Sequence, residues 1–265
     1  MSYVESAHDS VETITPESSA SQRIADFIRQ REEHDSSSRE PRNSEFWQRI
    51  NATTTSLWLD SGDVDSIDSL WCQQFSGVTT NNTLLNNEVQ NGAYDELVPQ
   101  ISKLVGNVPD DVKVREIGFA LNLCHALKLV QQFSCNVSVE LHTDVAHDSE
   151  ATMAYARRCH DLCPEFFIVK IPFTPSGLIA INQLRDEGIR VNCTLGFSAR
   201  QNYVATALSR PSFVNVFLGR LNSYIADNHL GDGQGVGEKA TLASQAEVST
   251  FTRGLPTTDT QQIAA

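Results

Sequence analysis

The chain has 265 residues and a mass of 29.3 kDa, enough for one large domain or two small ones at roughly 100–200 residues per domain. Hydrophobic residues make up 40% and charged residues 20%, the balance of a globular protein, and no apolar run approaches the ~18–20 residues of a membrane span. The 33 acidic and 20 basic residues leave a formal charge of −13, which argues against nucleic acid or an anionic membrane as partner, since both require clustered Lys and Arg.

The N-terminus, MSYVESAHDSVE, lacks the basic-then-apolar order of a signal peptide, so a cytoplasmic protein is expected. Residues 1–44 hold ten Ser, nine acidic residues and five Arg, and are read as a largely disordered or partly helical tail. Its one amphipathic stretch surrounds Ile24, Phe27 and Ile28. The folded domain is expected over 45–265, opening with a helix capped by Ser44 that places Phe46, Trp47 and Ile50 on one face.

From there, strand-like runs alternate with helical patterns. The runs are SLWLD (56–60), GVTTN (77–81), NVSVELH (136–142), FFIVKIPF (166–173), IRVNCTLGFS (189–198) and FVNVFLG (213–219). Helices are expected over 63–75, within the long stretch 83–133, and over 148–163, 174–187, 199–209 and 238–253. Strict alternation predicts an α/β fold with a parallel sheet, either doubly wound or a TIM-type (β/α)8 barrel.

Polar residues favour the barrel. Each run ends in or near a polar group: Asp60, Asn81, Glu140, Lys170, Asn192 with Thr194, and Asn215 leading into Arg220. Functional groups at the C-terminal ends of many strands converge on a barrel mouth, whereas an open sheet sets only a few strands beside its crevice. About six βα units are visible where a closed barrel has eight, so the barrel is expected to be incomplete, the chain stopping at or just before a seventh strand.

Lys170 is the only lysine inside an apolar strand. Desolvation disfavours an ammonium and frees the amine to attack a carbonyl, the property of Schiff-base lysines; snorkelling to solvent is the rival reading. Such chemistry needs proton shuttles, for which Asp60 and Glu140 are the candidates, with structural ion pairing as the alternative. Asn81, Asn192 and Thr194 suit substrate hydroxyls or a water, or else simple turn chemistry. Arg220, after Gly219, suits a phosphate or a surface ion pair. Cys72, Cys124, Cys135, Cys159, Cys163 and Cys193 are expected to be reduced, with no disulfide and no zinc. GDGQGVGEKA (231–240) lacks the order of a P-loop, and the spacing of His142, Asp144 and His147 matches no standard metal site.

Taken together, LWLDSGD (57–63), GVTTNNTLL (77–85), VSVELHTD (137–144), IVKIPFTPSG (168–177), VNCTLGFSARQ (191–201) and FLGR (217–220) resemble the transaldolase family over about residues 45–253. The pairing of K-I-P-x-T with N-x-T-L-x-F-S-x-x-Q makes the resemblance specific. It implies a (β/α)8 barrel, without metal or cofactor, that moves a dihydroxyacetone unit between sugar phosphates of the pentose phosphate pathway. It also implies that Lys170 forms the Schiff base, Asp60 is the acid/base, and Glu140 with Thr194 holds the water of carbinolamine dehydration. Asn81 and Asn192 would bind the dihydroxyacetone hydroxyls, and Arg220 the phosphate.

Two departures stand out. NVFLGR (215–220) places Asn215 where the family usually has a phosphate-binding serine, which leaves a fructose 6-phosphate aldolase as the alternative. Strands seven and eight of the family are missing, so a truncated product, an open barrel, closure by a second chain as a homo-oligomer, and a catalytically inactive sugar-phosphate-binding or interaction protein all stay open.

Overall fold

Short polar side chains start most of the helices. Ser18, Ser44, Asp63, Asn81, Asp148, Thr174 and Ser198 each turn an oxygen onto an N–H of the first helical turn, satisfying donors that have no partner within the helix. The structure, a computed structural model, describes residues 14–15, 18–31, 42–53 and 55–253. Its elements are α1 (Ser19–Arg29), α2 (Glu45–Asn51), β1 (Leu57–Asp60), α3 (Val64–Leu70), β2 (Phe75–Thr79), α4 (Asn82–Gln90), α5 (Leu97–Val105), α6 (Asp110–Phe133) and β3 (Asn136–Glu140). There follow α7 (Ser149–Leu162), β4 (Phe167–Pro172), α8 (Pro175–Asp186), β5 (Val191–Thr194), α9 (Ala199–Ser209), β6 (Phe213–Val214), α10 (Leu218–Asp227) and α11 (Val236–Thr252).

The six strands are all parallel and lie in chain order, β1-β2-β3-β4-β5-β6. A doubly wound sheet reverses its order at a switch point; this one winds in a single direction, as a barrel does. It is also strongly curled. Six flat strands would hold their outermost members roughly 24 Å apart at ~4.8 Å per step, yet the rings of Trp58 on β1 and Phe213 on β6 approach to 5.2 Å between centroids. The result is an incomplete TIM-type (β/α) barrel, and among the described residues no strand pairs with the outer edge of β1 or β6.

The stretch 83–133, expected to hold helices, forms three, α4, α5 and α6, separated where Gly92 and Gly106 take positive φ, a conformation that suits glycine. Four expectations about elements need correction. The helix expected to reach residue 75 stops at Leu70, because Trp71 is extended (ψ 133°) and Cys72 pairs with Arg42. The second strand runs over 75–79 instead of 77–81, so Asn81 already caps α4. The sixth strand, expected over 213–219, covers two residues. Leu218, Leu221 and Ile225 follow helical spacing, and α10 begins at Leu218, inside the expected strand. Finally, α11 begins at Val236, two residues earlier than expected.

The core lies between the strands and the outer helices, built from Val78, Val137, Val139, Val169, Ile171 and Leu129 among others. The amphipathic stretch of the N-terminal region forms α1, which packs on α5, α6 and α7 with Ile24 and Ile28 each 1% exposed. Most of the remainder of 1–44, and 254–265, lie outside the described residues. No helix among those described is long and apolar enough to cross a membrane.

Candidate active site

The register of the sheet assembles the site. Glu140 on β3 lies opposite Lys170 on β4, and Lys170 opposite Asn192 on β5, so three polar side chains stand in one row on the inner face. Asp60 ends β1 opposite Thr79. A cleft of about 420 Å³ opens there, its lining including Asp60, Asn81, Glu140, Lys170, Phe217 and Arg220. Two carboxylates and two cations thus face one space.

Lys170 is 4% exposed, and its Nζ donates to the Thr80 carbonyl at 3.2 Å. Glu140 Oε1 lies 3.8 Å from the same Nζ. Glu140 Oε2 accepts from the Asn82 backbone N–H at 3.0 Å, and the Glu140 carbonyl accepts from Asn122 Nδ2 at 2.8 Å. A buried amine beside a fixed carboxylate is suited to moving protons during attack on a carbonyl.

The β5 residues sit beside this pair. Asn192 donates through Nδ2 to Ser138 Oγ at 3.0 Å, while its buried Oδ1 has no hydrogen-bond partner among the described residues. A buried amide oxygen left without a donor is costly, and a ligand hydroxyl would satisfy it. Thr194 Oγ1 accepts from Asn215 Nδ2 at 3.4 Å, and no hydrogen bond joins Thr194 to Glu140 among the described residues. Asn81 borders the cleft but spends its Oδ1 on the Leu84 N–H as the cap of α4. Arg220 was expected at a strand end; it lies in the first turn of α10, exposed, with its guanidinium 4.7 Å from the Phe217 ring centroid. That stacking holds a cation at the rim of the cleft, where it can meet an anion.

Sequence reasoning missed Asn82, Thr80, Ser138 and Phe217. Two of these act through backbone atoms, for which a sequence carries no side-chain signal. Leu195, also in the lining, takes φ 66°, an uncommon backbone conformation that turns the chain out of β5 toward the mouth. The six cysteines are free thiols, and burial pushes those of Cys135 and Cys193 up to about 12. His142 Nδ1 lies 3.3 Å from Asp144 Oδ2, and no group of three or more His, Cys, Asp or Glu able to hold a metal occurs among the described residues.

Fold and site together define a (β/α)-barrel protein with a lysine–carboxylate centre at the C-terminal ends of its strands. The family model for transaldolase/fructose-6-phosphate aldolase matches residues 57–263, and the chain belongs to that family. It is 32% identical over 166 residues to a transaldolase of Mycobacterium leprae (strain Br4923), covering 58% of this chain and 44% of that protein. A transaldolase of Xanthomonas euvesicatoria pv. vesicatoria (strain 85-10) is 30% identical over 174 residues, 62% of this chain and 53% of the relative. Transaldolase 2 of Nostoc punctiforme is 33% identical over 166 residues, 57% of this chain and 43% of the relative. The chain spans about half the length of these curated relatives.

Proposed function

We propose that the chain is a transaldolase-type enzyme of the cytoplasmic pentose phosphate pathway, moving a dihydroxyacetone unit between sugar phosphates through a Schiff base on Lys170. The observation that carries this reading is the buried Lys170 amine beside Glu140, in a cleft shared with Asp60 and Arg220, in a member of this family.

In the proposed reaction the Lys170 amine attacks C2 of the ketose, and the carbinolamine loses water, with Glu140 taking and returning the protons through a water. Asp60 accepts the C4 hydroxyl proton as the C3–C4 bond breaks, releasing the aldose phosphate and leaving the three-carbon enamine on Lys170. The enamine carbon then adds to an acceptor aldehyde, whose oxygen takes the proton back from Asp60. Hydrolysis frees the new ketose and the lysine. Asn192 Oδ1 and Asn81 would hold the donor hydroxyls, and Arg220 would hold the phosphate. Thr194 is assigned to the water as well, with Asn215 as its partner.

Borohydride trapping with fructose 6-phosphate, read by intact and peptide mass spectrometry, tests the reading. The expected result is one adduct confined to Lys170 and absent from Lys170→Ala. A folded chain that yields no adduct would falsify it. The family also includes aldolases that need no acceptor, so turnover with and without erythrose 4-phosphate separates transfer from plain cleavage.

A further inference from the structure

We propose that Asn82 is a positioning residue for Glu140 and that it acts through its backbone N–H. The effect on rate argued below rests on the aldol reading of the site; the contact itself does not.

Asn82 is the first residue of α4, where a helix N–H has no acceptor within its own helix. Here that N–H donates to Glu140 Oε2 at 3.0 Å, and the Asn82 side-chain Nδ2 donates to the Leu141 carbonyl, also at 3.0 Å. One residue therefore grips the end of β3 twice. A hydrogen bond from an N–H to a carboxylate, at the positive end of a helix, is among the stronger ones a protein makes.

The consequence lies with the other oxygen. With Oε2 tethered to α4, Oε1 stands 3.8 Å from Lys170 Nζ, a loose ion pair beyond direct hydrogen-bond distance. Released from the tether, the carboxylate could close on Nζ into a direct hydrogen bond and occupy the amine that must attack. Asn82 thus keeps Glu140 near the lysine without letting it hydrogen-bond to the lysine.

Proline is the informative substitution. It lacks the N–H, it is favoured at the first position of a helix, and it requires an extended preceding residue, which Asn81 already is (φ −151°, ψ 168°). Asn82→Ala keeps the N–H and loses only the side-chain arm. At saturating fructose 6-phosphate, Asn82→Pro should slow trapping on Lys170 about tenfold with KM little changed, the size of effect a charge-assisted hydrogen bond supplies, while Asn82→Ala stays within about threefold of the parent. A proline variant as fast as the parent, or an alanine variant as slow as the proline one, would overturn the proposal.

A second measurement needs neither Asn82 variant nor turnover on Lys170. Amide hydrogen exchange followed by NMR should show the Asn82 N–H of the unaltered chain protected at least about tenfold relative to the Glu140→Ala chain. Equal exchange in the two would remove the tether. If the unaltered chain forms no Lys170 adduct, the aldol reading fails while the exchange result still decides the contact.

Discussion

At the scale of single residues, the cleft divides labour between a half-buried and an exposed carboxylate. Glu140 is held by a backbone N–H and a neighbouring cation, whereas Asp60 stands exposed at the end of β1. Only Asp60 is asked to act on the C4 hydroxyl, so its loss should leave the first half of the reaction intact. Asp60→Ala is expected to form the trapped Lys170 adduct with fructose 6-phosphate at near the parent rate. Release of glyceraldehyde 3-phosphate, followed by a coupled assay, should fall by about 10²–10⁴, the range for a positioned acid/base. An equal loss in both measurements would take the acid/base role away from Asp60. Because the side chain is exposed, the substitution should alter stability by no more than about 0.5 kcal/mol.

At the scale of elements, the outer layer carries a polar cluster of its own between α6 and α7. Glu116 is fully buried and accepts both guanidinium arms of Arg158, at 2.9 and 2.7 Å, and the Tyr155 hydroxyl at 2.6 Å. Arg158 also stacks on Phe119 at 4.7 Å and donates to the Ile14 carbonyl, tying the N-terminal segment to the barrel. Removing one partner of a buried pair strands the other charge, so Glu116→Ala should cost about 3–5 kcal/mol in urea unfolding. The double change Glu116→Leu with Arg158→Met should cost less, because neither charge remains to be buried. If the double variant is the less stable of the two, burial of the charge is not what sets the cost.

The same two helices show what a sequence does and does not display. Lys170 was legible because an apolar run such as FFIVKIPF leaves a lysine nowhere ordinary to go, and the order of the six strands followed from their alternation with helices. The extent of β6 was not legible, since VFLGR satisfies a two-residue and a helical period alike until Leu221 and Ile225 are placed beside it. Asn82 was hidden for a different reason: its contact with Glu140 is made by a main-chain N–H across 58 positions. The pairing of Glu116 with Arg158, 42 positions apart, likewise depends on two helices packing side by side, which no local pattern encodes.

At the scale of the whole molecule, charge and burial combine to make the fold sensitive to acid. His125 is fully buried on α6, its Nδ1 paired with the Tyr94 hydroxyl at 2.7 Å, and burial, with Lys128 adding to it, lowers its pKa from 6.5 to about 4. The folded state therefore resists a proton that the unfolded chain accepts. Between pH 6.5 and 4 the unfolded state binds more protons, so the stability present above pH 6.5 is lost as the pH falls through that window. By pH 5 the loss from this group is about 2 kcal/mol. Over the same range the net charge of −13 declines toward zero near pH 4.9, weakening the repulsion between copies whose β1 and β6 outer edges pair with no strand among the described residues. Urea midpoints at pH 7 and pH 5, with light scattering alongside, should show destabilisation accompanied by association. Tyr94→Phe combined with His125→Leu removes both members of the buried pair, and the gap between the two midpoints should shrink by the histidine's share. An unchanged gap would place the acid sensitivity in the carboxylates instead.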